Sequence, residues 1–267
     1  SAIALMGLAE AFDCMGGVIL HELGHAFCAL LAGFKVSAVR FGKADISQKG
    51  VRFSRNAAAG ESTVIPKSPR GLRGRLAFVS LGGALFNLIY GGTLLALYFV
   101  LPPHPALLFF VLFAPFQLST GLSSLFPAEL RSGRTDGEML LGLARKAPFA
   151  EVSLALLRAQ ALLFRGSYRD LPRGLLFSVP VIREDEPLFA ALQLMRLQYG
   201  LVARDEEEIS SVVTRWNGAY AEAERDEVPK ETACVLYYAY SVLIPDAERA
   251  EFYRDCIEEY ENTFHFC

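Results

Sequence analysis

Two long apolar runs dominate the pattern of hydrophobic and polar positions along this chain. Residues 76–101 and 106–126 form runs of 26 and 21 positions without a charged side chain. Each run exceeds the roughly 20 residues that an α-helix needs to cross the hydrocarbon core of a bilayer. The segment 102–105 between them contains three prolines and cannot continue a helix. The pattern therefore predicts a transmembrane hairpin.

A third apolar segment, about residues 2–32, is interrupted by the polar sequence HELGH at positions 21–25. Ionisable residues inside a membrane are costly, and they usually face a protein interior or a watery cavity. We therefore expect a third membrane helix, with a functional site on the face that carries HELGH.

The pattern changes to short apolar pieces at 36–41 and 51–53, separated by Gly42 and Gly50. These pieces favour a small β-hairpin at the membrane surface over a helix. Residues 66–75 contain several prolines, glycines and basic residues, which is typical of a loop leading into the next span.

Beyond residue 138 the chain has amphipathic, charged segments separated by prolines. They predict helices at 151–164, 188–202, 206–223, 232–243 and 247–263. TPR-like helix pairs are one option for this region, although no residue signature repeats at a fixed period. The predicted fold is that of an α-helical membrane protein. It has a three-helix transmembrane core with a surface β-hairpin at residues 1–145, followed by a soluble all-α domain at residues 146–267.

Composition and charge agree with a membrane setting. Hydrophobic residues make up 52% of the chain and charged residues only 21%, with a mean hydropathy of +0.30, too apolar for an ordinary soluble protein. Residues 35–75 carry ten basic and two acidic side chains, whereas residues 138–267 carry 14 basic and 22 acidic ones. Because positive loops face the cytoplasm, both HELGH and the helical domain are predicted on the cytoplasmic side.

The sequence HELGH matches the pattern HExxH. Residues four apart lie on one face of a helix, so His21 and His25 can reach the same zinc ion, while Glu22 stands beside water bound to the metal. The plain alternative is a pair of helix-surface histidines flanking a glutamate. Three polar residues in an apolar helix need a reason, however, which favours the metal site.

A zinc site needs at least one more protein ligand. The remaining histidines are His104, in the turn between the two spans, and His265, at the end of the sequence, so neither is well placed. A carboxylate is the natural alternative. Asp136 lies ten residues after the last span. The transmembrane hairpin returns the chain to the side of the membrane where it started, so the loop that contains Asp136 would lie on the same side as HELGH. Taken alone, Asp136-Gly137 would also fit an ordinary turn.

Three motifs occur in order along residues 1–142: HELGHAFCALLAG at 21–33, GGALFN at 82–87, and SLFP at 124–127 followed by Asp136-Gly137. Together they resemble the site-2 proteases, which are intramembrane zinc metalloproteases. Ser124 stands where the family usually has asparagine, and Asp136 lies nine residues after Pro127, a longer loop than in many members.

The resemblance implies that Asp136 is the third zinc ligand. It also implies that Asn87 lies near the active site and contacts the substrate backbone or the developing oxyanion. Asn87 would equally suit a packing role, with its amide bonded to a neighbouring helix where glycines let the backbones approach closely.

The expected function is that of a bacterial, multi-pass intramembrane zinc metalloprotease. It would cleave membrane-spanning or membrane-associated proteins, in regulated intramembrane proteolysis or in peptide maturation, with the active site facing the cytoplasm. Its expected partners are the substrate, the lipid bilayer and a protein bound by the helical domain; no nucleic acid is expected. One alternative is a catalytically inactive membrane adaptor or regulator that acts through the helical domain. Another is a soluble zinc protease whose apolar runs form a buried core.

Overall fold

The computed structural model describes residues 2–47, 50–130, 133–164, 166–225 and 227–264. The chain is mostly helical and divides into two compact units, Ser1–Phe164 and Arg165–Cys267. The elements of the first unit, in chain order, are α1 (Ala2–Leu31), β1 (Phe34–Ser47), β2 (Gly50–Pro66), α2 (Leu72–Val100), α3 (Leu108–Leu125), β3 (Glu129–Leu130), β4 (Gly133–Arg134), α4 (Asp136–Arg145) and α5 (Pro148–Leu163).

Helices α2 and α3 follow the two apolar runs, and a short 3-10 turn at Pro105–Leu107 lies between them. Both helices are long and apolar enough to cross a membrane. Several of their large apolar side chains are exposed, among them Ile89, Phe99 and Val100 at 64%, 76% and 78%. In α1, the apolar part whose side chains are described is the shorter stretch Gly16–Leu31.

The predicted β-hairpin is present. Strands β1 and β2 pair antiparallel, from Phe34 opposite Pro66 to Ser47 opposite Gly50, with register shifts along the ladder. The strands are longer than the apolar pieces seen in the sequence, because the pairing continues through the polar residues between them. At the base of the hairpin, Phe34 is fully buried and Gly33 takes a positive φ of 75° that ends α1.

Glycines set how closely the three apolar helices pack. A Cβ atom on Gly24 of α1 would lie 2.4 Å from the carbonyl oxygen of Gly82 of α2, far inside normal contact. A Cβ on Gly121 of α3 would likewise lie 3.0 Å from the Ala84 carbonyl of α2. Small residues that let backbones approach are typical of helix contacts in membranes.

Arg75 fastens the end of α1 to the start of α2. Its guanidinium donates to the carbonyls of Ala32 and Gly33, at 2.5 and 2.9 Å, and stacks 4.7 Å from the centre of the Phe34 ring. The last carbonyls of a helix lack partners within it. Arg75 donates to the Ala32 carbonyl, and it shares the Gly33 carbonyl with the Lys67 amide, which lies 3.3 Å from the same oxygen. The contacts join α1 and α2 about two helical turns beyond His25.

Helices α4 and α5 also belong to the first unit, although the sequence boundary at 145/146 assigned α5 to the helical domain. Arg73 of α2 donates to the Leu143 carbonyl at the end of α4 and forms an ion pair with Glu151 of α5. These contacts tie both helices to α2. The division seen in the structure therefore falls after Phe164.

The second unit is helical throughout its described regular elements. They are a 3-10 turn at Tyr168–Asp170, α6 (Arg173–Phe177), α7 (Pro187–Ala203), α8 (Glu206–Gly218), α9 (Lys230–Tyr238) with a π-helical end at Ala239–Leu243, and α10 (Ala247–Phe264). Helix α7 packs against α8, and α9 packs against α10. The buried side chains of Phe189, Trp216, Leu236 and Tyr253 form the core of this unit. Nothing in this arrangement tests a TPR-like relationship, which stays a prediction.

Candidate metal centre

Helix α1 presents the polar residues of HELGH on one face, as the spacing predicts. The Nε2 atoms of His21 and His25 lie 3.1 Å apart, and potential ligand atoms of His21, Glu22 and His25 all lie within 4.8 Å of one another. The two imidazole rings meet edge to face, with centroids 4.7 Å apart. This group could hold a metal ion.

The tautomer of His25 follows from a contact with α2. Its Nδ1 lies 2.8 Å from the carbonyl oxygen of Val79. A carbonyl only accepts hydrogen bonds, so Nδ1 carries the proton and the Nε2 lone pair of the neutral ring points towards His21. Metal-ligating histidines commonly use a backbone carbonyl in this way to fix the ring. His21 Nδ1 is buried and has no hydrogen-bond partner among the described residues.

Asp136 joins the two histidines from 111 residues further along the chain. Its carboxylate oxygens lie 3.0 Å from His21 Nε2 and 3.3 Å from His25 Nε2. Burial raises the pKa of the Asp136 carboxyl, but the hydrogen bonds and charges of the two histidines lower it further, so the pKa lies below its ordinary value. The carboxyl is therefore held as an anion.

The arrangement fits a bound metal ion. In a neutral His25 the Nε2 lone pair faces a carboxylate oxygen 3.3 Å away, a repulsive contact that is relieved by a proton on that nitrogen or by a metal ion between the two groups. Zinc bonds of about 2.0–2.1 Å at tetrahedral angles put neighbouring ligand atoms about 3.3 Å apart. The two Nε2 atoms lie 3.1 Å apart, one Asp136 oxygen lies 3.0 Å from His21 Nε2, and the other Asp136 oxygen lies 3.3 Å from His25 Nε2. Two imidazoles and one carboxylate are also a ligand set that zinc enzymes use while keeping a position open for water.

Local structure at the start of α4 explains how Asp136 reaches the site. Thr135 caps this helix: its hydroxyl accepts from the Glu138 amide at 3.3 Å and donates to the Phe126 carbonyl at 2.8 Å. Two positions after Thr135, a Cβ on Gly137 would lie 2.0 Å from the Leu125 carbonyl. A glycine is therefore needed for α4 to begin directly against the end of α3, with Asp136 as its first residue.

Gly83 of α2 forms the back of the site. A Cβ atom built there would lie 2.6 Å from ring atoms of both His21 and His25. That separation is well inside van der Waals contact, so a larger residue would push the imidazoles out of place. The two glycines at 82–83 therefore make different contacts. Gly82 packs against the α1 backbone, and Gly83 packs against the histidine rings.

An open cavity of about 380 Å³ lies in front of the cluster. Glu22 lines it and is 6% exposed, so the carboxylate is largely shielded from solvent beside the two histidines. The other walls are the apolar side chains of Val64, Leu76 and Val79, the hydroxyl residues Ser80, Ser124 and Thr135, and Arg134. The cavity offers a reacting group access to the metal position and to Glu22 at once.

Asn87 lies one helical turn beyond Gly83 on α2. It is fully buried, and neither side-chain atom has a hydrogen-bond partner among the described residues. It does not belong to the described lining of the 380 Å³ cavity. A buried amide without partners costs about 1–3 kcal/mol, which favours a water or substrate group beside it. The predicted substrate contact of Asn87 stays a prediction.

Sequence reasoning missed several residues of the cavity. Ser80 and Thr135 carried no motif, and Ser124 was noted only as a departure from the family pattern. Arg134 stood two residues before Asp136, which was the available signal, but its direction depends on the short β3–β4 turn. The contact of Gly83 with the imidazoles was equally invisible, because two glycines in an apolar helix predict close packing without naming the neighbour.

No protein-family model, curated protein or solved structure matches this chain. The resemblance to site-2 proteases therefore rests on the three motifs, and the chemistry of the centre is argued from the residues that form it.

Proposed function

We propose that this chain is an intramembrane zinc metalloprotease of the site-2 protease type. The main support is that the side chains of His21, His25 and Asp136 lie within 3.0–3.3 Å of one another. Glu22 lies beside them at an open cavity. Helix α1 supplies the two histidines, and the first residue of α4 supplies the carboxylate. Residues so distant in sequence meet where a tetrahedral metal would need them.

In this proposal His21, His25 and Asp136 hold the zinc ion. Zinc in such a site lowers the pKa of bound water towards about 7 and polarises a carbonyl group. The Val79 carbonyl keeps His25 in the tautomer that ligates through Nε2, and Gly83 leaves room for both rings. The half-buried Asp136 carboxylate offsets part of the positive charge.

Glu22 is the proton carrier of the proposed reaction. Its carboxylate lies in the cavity beside both histidines, so it can take a proton from the attacking water and return it to the leaving amine. Its low exposure keeps bulk water from competing for that proton. The net reaction is hydrolysis of a peptide bond, with a new carboxylate and a new amine as products.

The exposed apolar surface supports a membrane location. In the most apolar stretches of α2 and α3, only 28% and 17% of the residues are buried. The core helices of a soluble protease would be mostly buried, so this surface favours lipid around the helices over water. The substrates we propose are accordingly membrane-spanning or membrane-associated proteins with a locally unfolded segment, and the proposed location is the bacterial cell membrane.

The deciding experiment replaces Glu22 with glutamine. Purified Glu22→Gln should keep the zinc content of the wild type, because the ligands are untouched, yet lose hydrolysis of co-expressed candidate membrane peptides. An amide cannot accept the proton of water. Near-normal cleavage by Glu22→Gln would refute the mechanism. Wild-type protein that holds no metal and cleaves none of the peptides would favour the adaptor alternative.

The proposed orientation has its own test. Variants His104→Cys and Arg169→Cys, each made in a chain whose five native cysteines are replaced by serine, carry one thiol, in the turn between α2 and α3 or in the helical unit. A membrane-impermeant maleimide added to intact cells should label the first and spare the second, because the basic segment 35–75 keeps its side of the membrane cytoplasmic. Labelling in the reverse pattern would overturn the orientation.

A further inference from the structure

Ser80 is a buried hydroxyl residue of α2 to which the proposed metal chemistry gives no role. It is 7% exposed, and it lines the cavity together with Glu22, Asp136 and both histidines. Its hydroxyl makes no hydrogen bond to any residue that the structure describes. A serine inside a helix commonly bonds the carbonyl one turn earlier, and a buried polar group left unbonded costs free energy. The free hydroxyl at this cavity therefore indicates a ligand group that bonds it.

The other two hydroxyl groups in the described lining of the cavity already donate to the backbone. Ser124 donates to the Gly121 carbonyl at 3.1 Å, and Thr135 donates to the Phe126 carbonyl at 2.8 Å. A hydroxyl has one proton to donate, so these two protons are committed within the protein. Within that lining, Ser80 is the hydroxyl residue whose proton can go to a bound group.

Ser80 lies on the face of α2 that meets the two imidazoles. The carbonyl of the preceding residue, Val79, accepts from His25 Nδ1 at 2.8 Å. Gly83 lies three residues further along, on the same face of the helix, and packs against both rings. These two backbone contacts flank Ser80, so its side chain borders the proposed metal position.

The charges of the cavity favour a neutral donor. When water attacks a peptide carbonyl, the π electrons of the C=O bond move to the oxygen, and negative charge develops there. Asp136 is held as an anion at the same cavity, and Arg134 is already ion-paired with Glu129 at 3.5 Å. A hydroxyl stabilises the developing charge by a hydrogen bond and brings no charge of its own.

We propose that the Ser80 hydroxyl donates a hydrogen bond to the oxygen of the scissile carbonyl as that oxygen becomes the oxyanion of the tetrahedral intermediate. This inference rests on the proposed protease function and adds a catalytic residue to the same site. The proton stays on Ser80 throughout. When the C–N bond breaks, the oxygen electron pair re-forms the C=O bond, and the leaving amine takes its proton from Glu22. Ser80 thus performs the oxyanion contact that the family resemblance implies for Asn87, which is not in the described cavity lining.

Steady-state kinetics of Ser80→Ala test this role in the full-length, zinc-loaded protein in detergent. The substrate is a membrane peptide that the wild type cleaves. We expect kcat to fall about 100-fold, the effect of removing one donor to an oxyanion. KM, zinc content and the thermal unfolding midpoint should stay close to wild type, because the hydroxyl has no described partner in the free protein.

Ser119→Ala is the matched control. It also removes a serine hydroxyl without a described hydrogen bond from an apolar helix, but Ser119 is exposed on α3 and lies outside the described lining of the cavity. This variant should keep the kcat of the wild type.

Binding of a transition-state analogue gives a readout without turnover. The probe is the fluorescent substrate peptide with a tetrahedral phosphinate in place of the scissile amide, and fluorescence anisotropy measures its Kd. Ser80→Ala should weaken this binding at least about tenfold, the effect of one charge-assisted hydrogen bond. The unmodified peptide should bind Glu22→Gln equally well with and without Ser80→Ala, because its carbonyl oxygen carries no full negative charge.

An active wild type with an unchanged kcat in Ser80→Ala overturns the inference and leaves the protease intact. A higher KM at the same kcat also overturns it, because the hydroxyl would then bind the substrate before the reaction. Loss of zinc or a lower unfolding midpoint in Ser80→Ala would give the residue a structural role and has the same consequence. Wild-type protein that neither cleaves the peptides nor binds the phosphinate refutes the protease itself, and the inference with it.

Discussion

Helix α2 contains two diglycine pairs, identical in sequence and different in surroundings. A Cβ on either residue of the pair 82–83 would clash, at 2.6 Å, with the α1 backbone or with the imidazole rings. In the second pair, a Cβ on Gly91 would lie 2.9 Å from the side chain of Leu118, whereas a Cβ on Gly92 would find no neighbouring atom within 4 Å. One end of α2 is shaped around the proposed metal site, and the other provides only helix packing.

The difference shows that glycine performs separate tasks along one helix. At the proposed metal end, the lack of a side chain lets Gly82 lie against the α1 backbone and lets Gly83 lie against the rings of the two proposed ligands. At the far end, Gly91 lets α3 approach, and Gly92 makes no described contact that needs a glycine. The two ends should therefore respond to the same substitution with effects of different kind and size.

Removing Asp136 should have the largest effect at the metal end. Asp136→Ala deletes the carboxylate that lies 3.0 and 3.3 Å from the two imidazoles, so zinc content and peptide hydrolysis should both fall to background. Metal analysis alongside a cleavage assay measures both. Glu138→Ala, in the same helical turn with the same charge, should leave both near wild type. Full zinc occupancy in Asp136→Ala would remove Asp136 from the ligand set.

Gly83→Ala should have the next largest effect. Its methyl group would meet both imidazoles at 2.6 Å, so the rings must shift although no ligand is removed. We expect zinc affinity to fall roughly 10- to 100-fold, the range found when groups that orient metal ligands are altered. Competition with a chelator of known affinity measures it. An unchanged affinity would show that the rings can move aside freely.

At the far end of α2, Gly91→Ala should lower stability with little change in zinc affinity. Its methyl group meets α3 at about 3 Å, and overpacking of this kind typically costs about 1–3 kcal/mol. Thermal unfolding in detergent measures the loss. A fall in zinc affinity as large as that of Gly83→Ala would erase the distinction between the two ends.

The neighbouring Gly92→Ala should have the smallest effect. The new methyl group enters open space, and alanine favours a helix over glycine by roughly 0.5–1 kcal/mol. The same unfolding assay should show an unchanged or slightly raised midpoint. Destabilisation comparable to that of Gly91→Ala would place an undescribed neighbour, or a second copy of the chain, against this face.

Much of the fold could be predicted from the sequence, because it depends on local pattern. The uncharged runs gave α2 and α3 to within a few residues, and the pieces near 36–41 and 51–53 indicated the hairpin. Helix α4 was missed as an element, because its ten residues follow a polar loop without a long apolar periodicity. Its start depends on the Thr135 cap and on the contact between Gly137 and α3.

By itself the sequence determined the spacing of His21, Glu22 and His25, since helical geometry places residues four apart on one face. The order of the three motifs also indicates Asp136 as the third ligand. Only the tertiary structure decided that Asp136 reaches the imidazoles, that Gly83 touches both rings and that Arg134 lines the cavity. Those contacts depend on how helices cross and where loops return, which is set by packing between residues far apart in the chain. Local sequence pattern carries no direct record of such distances.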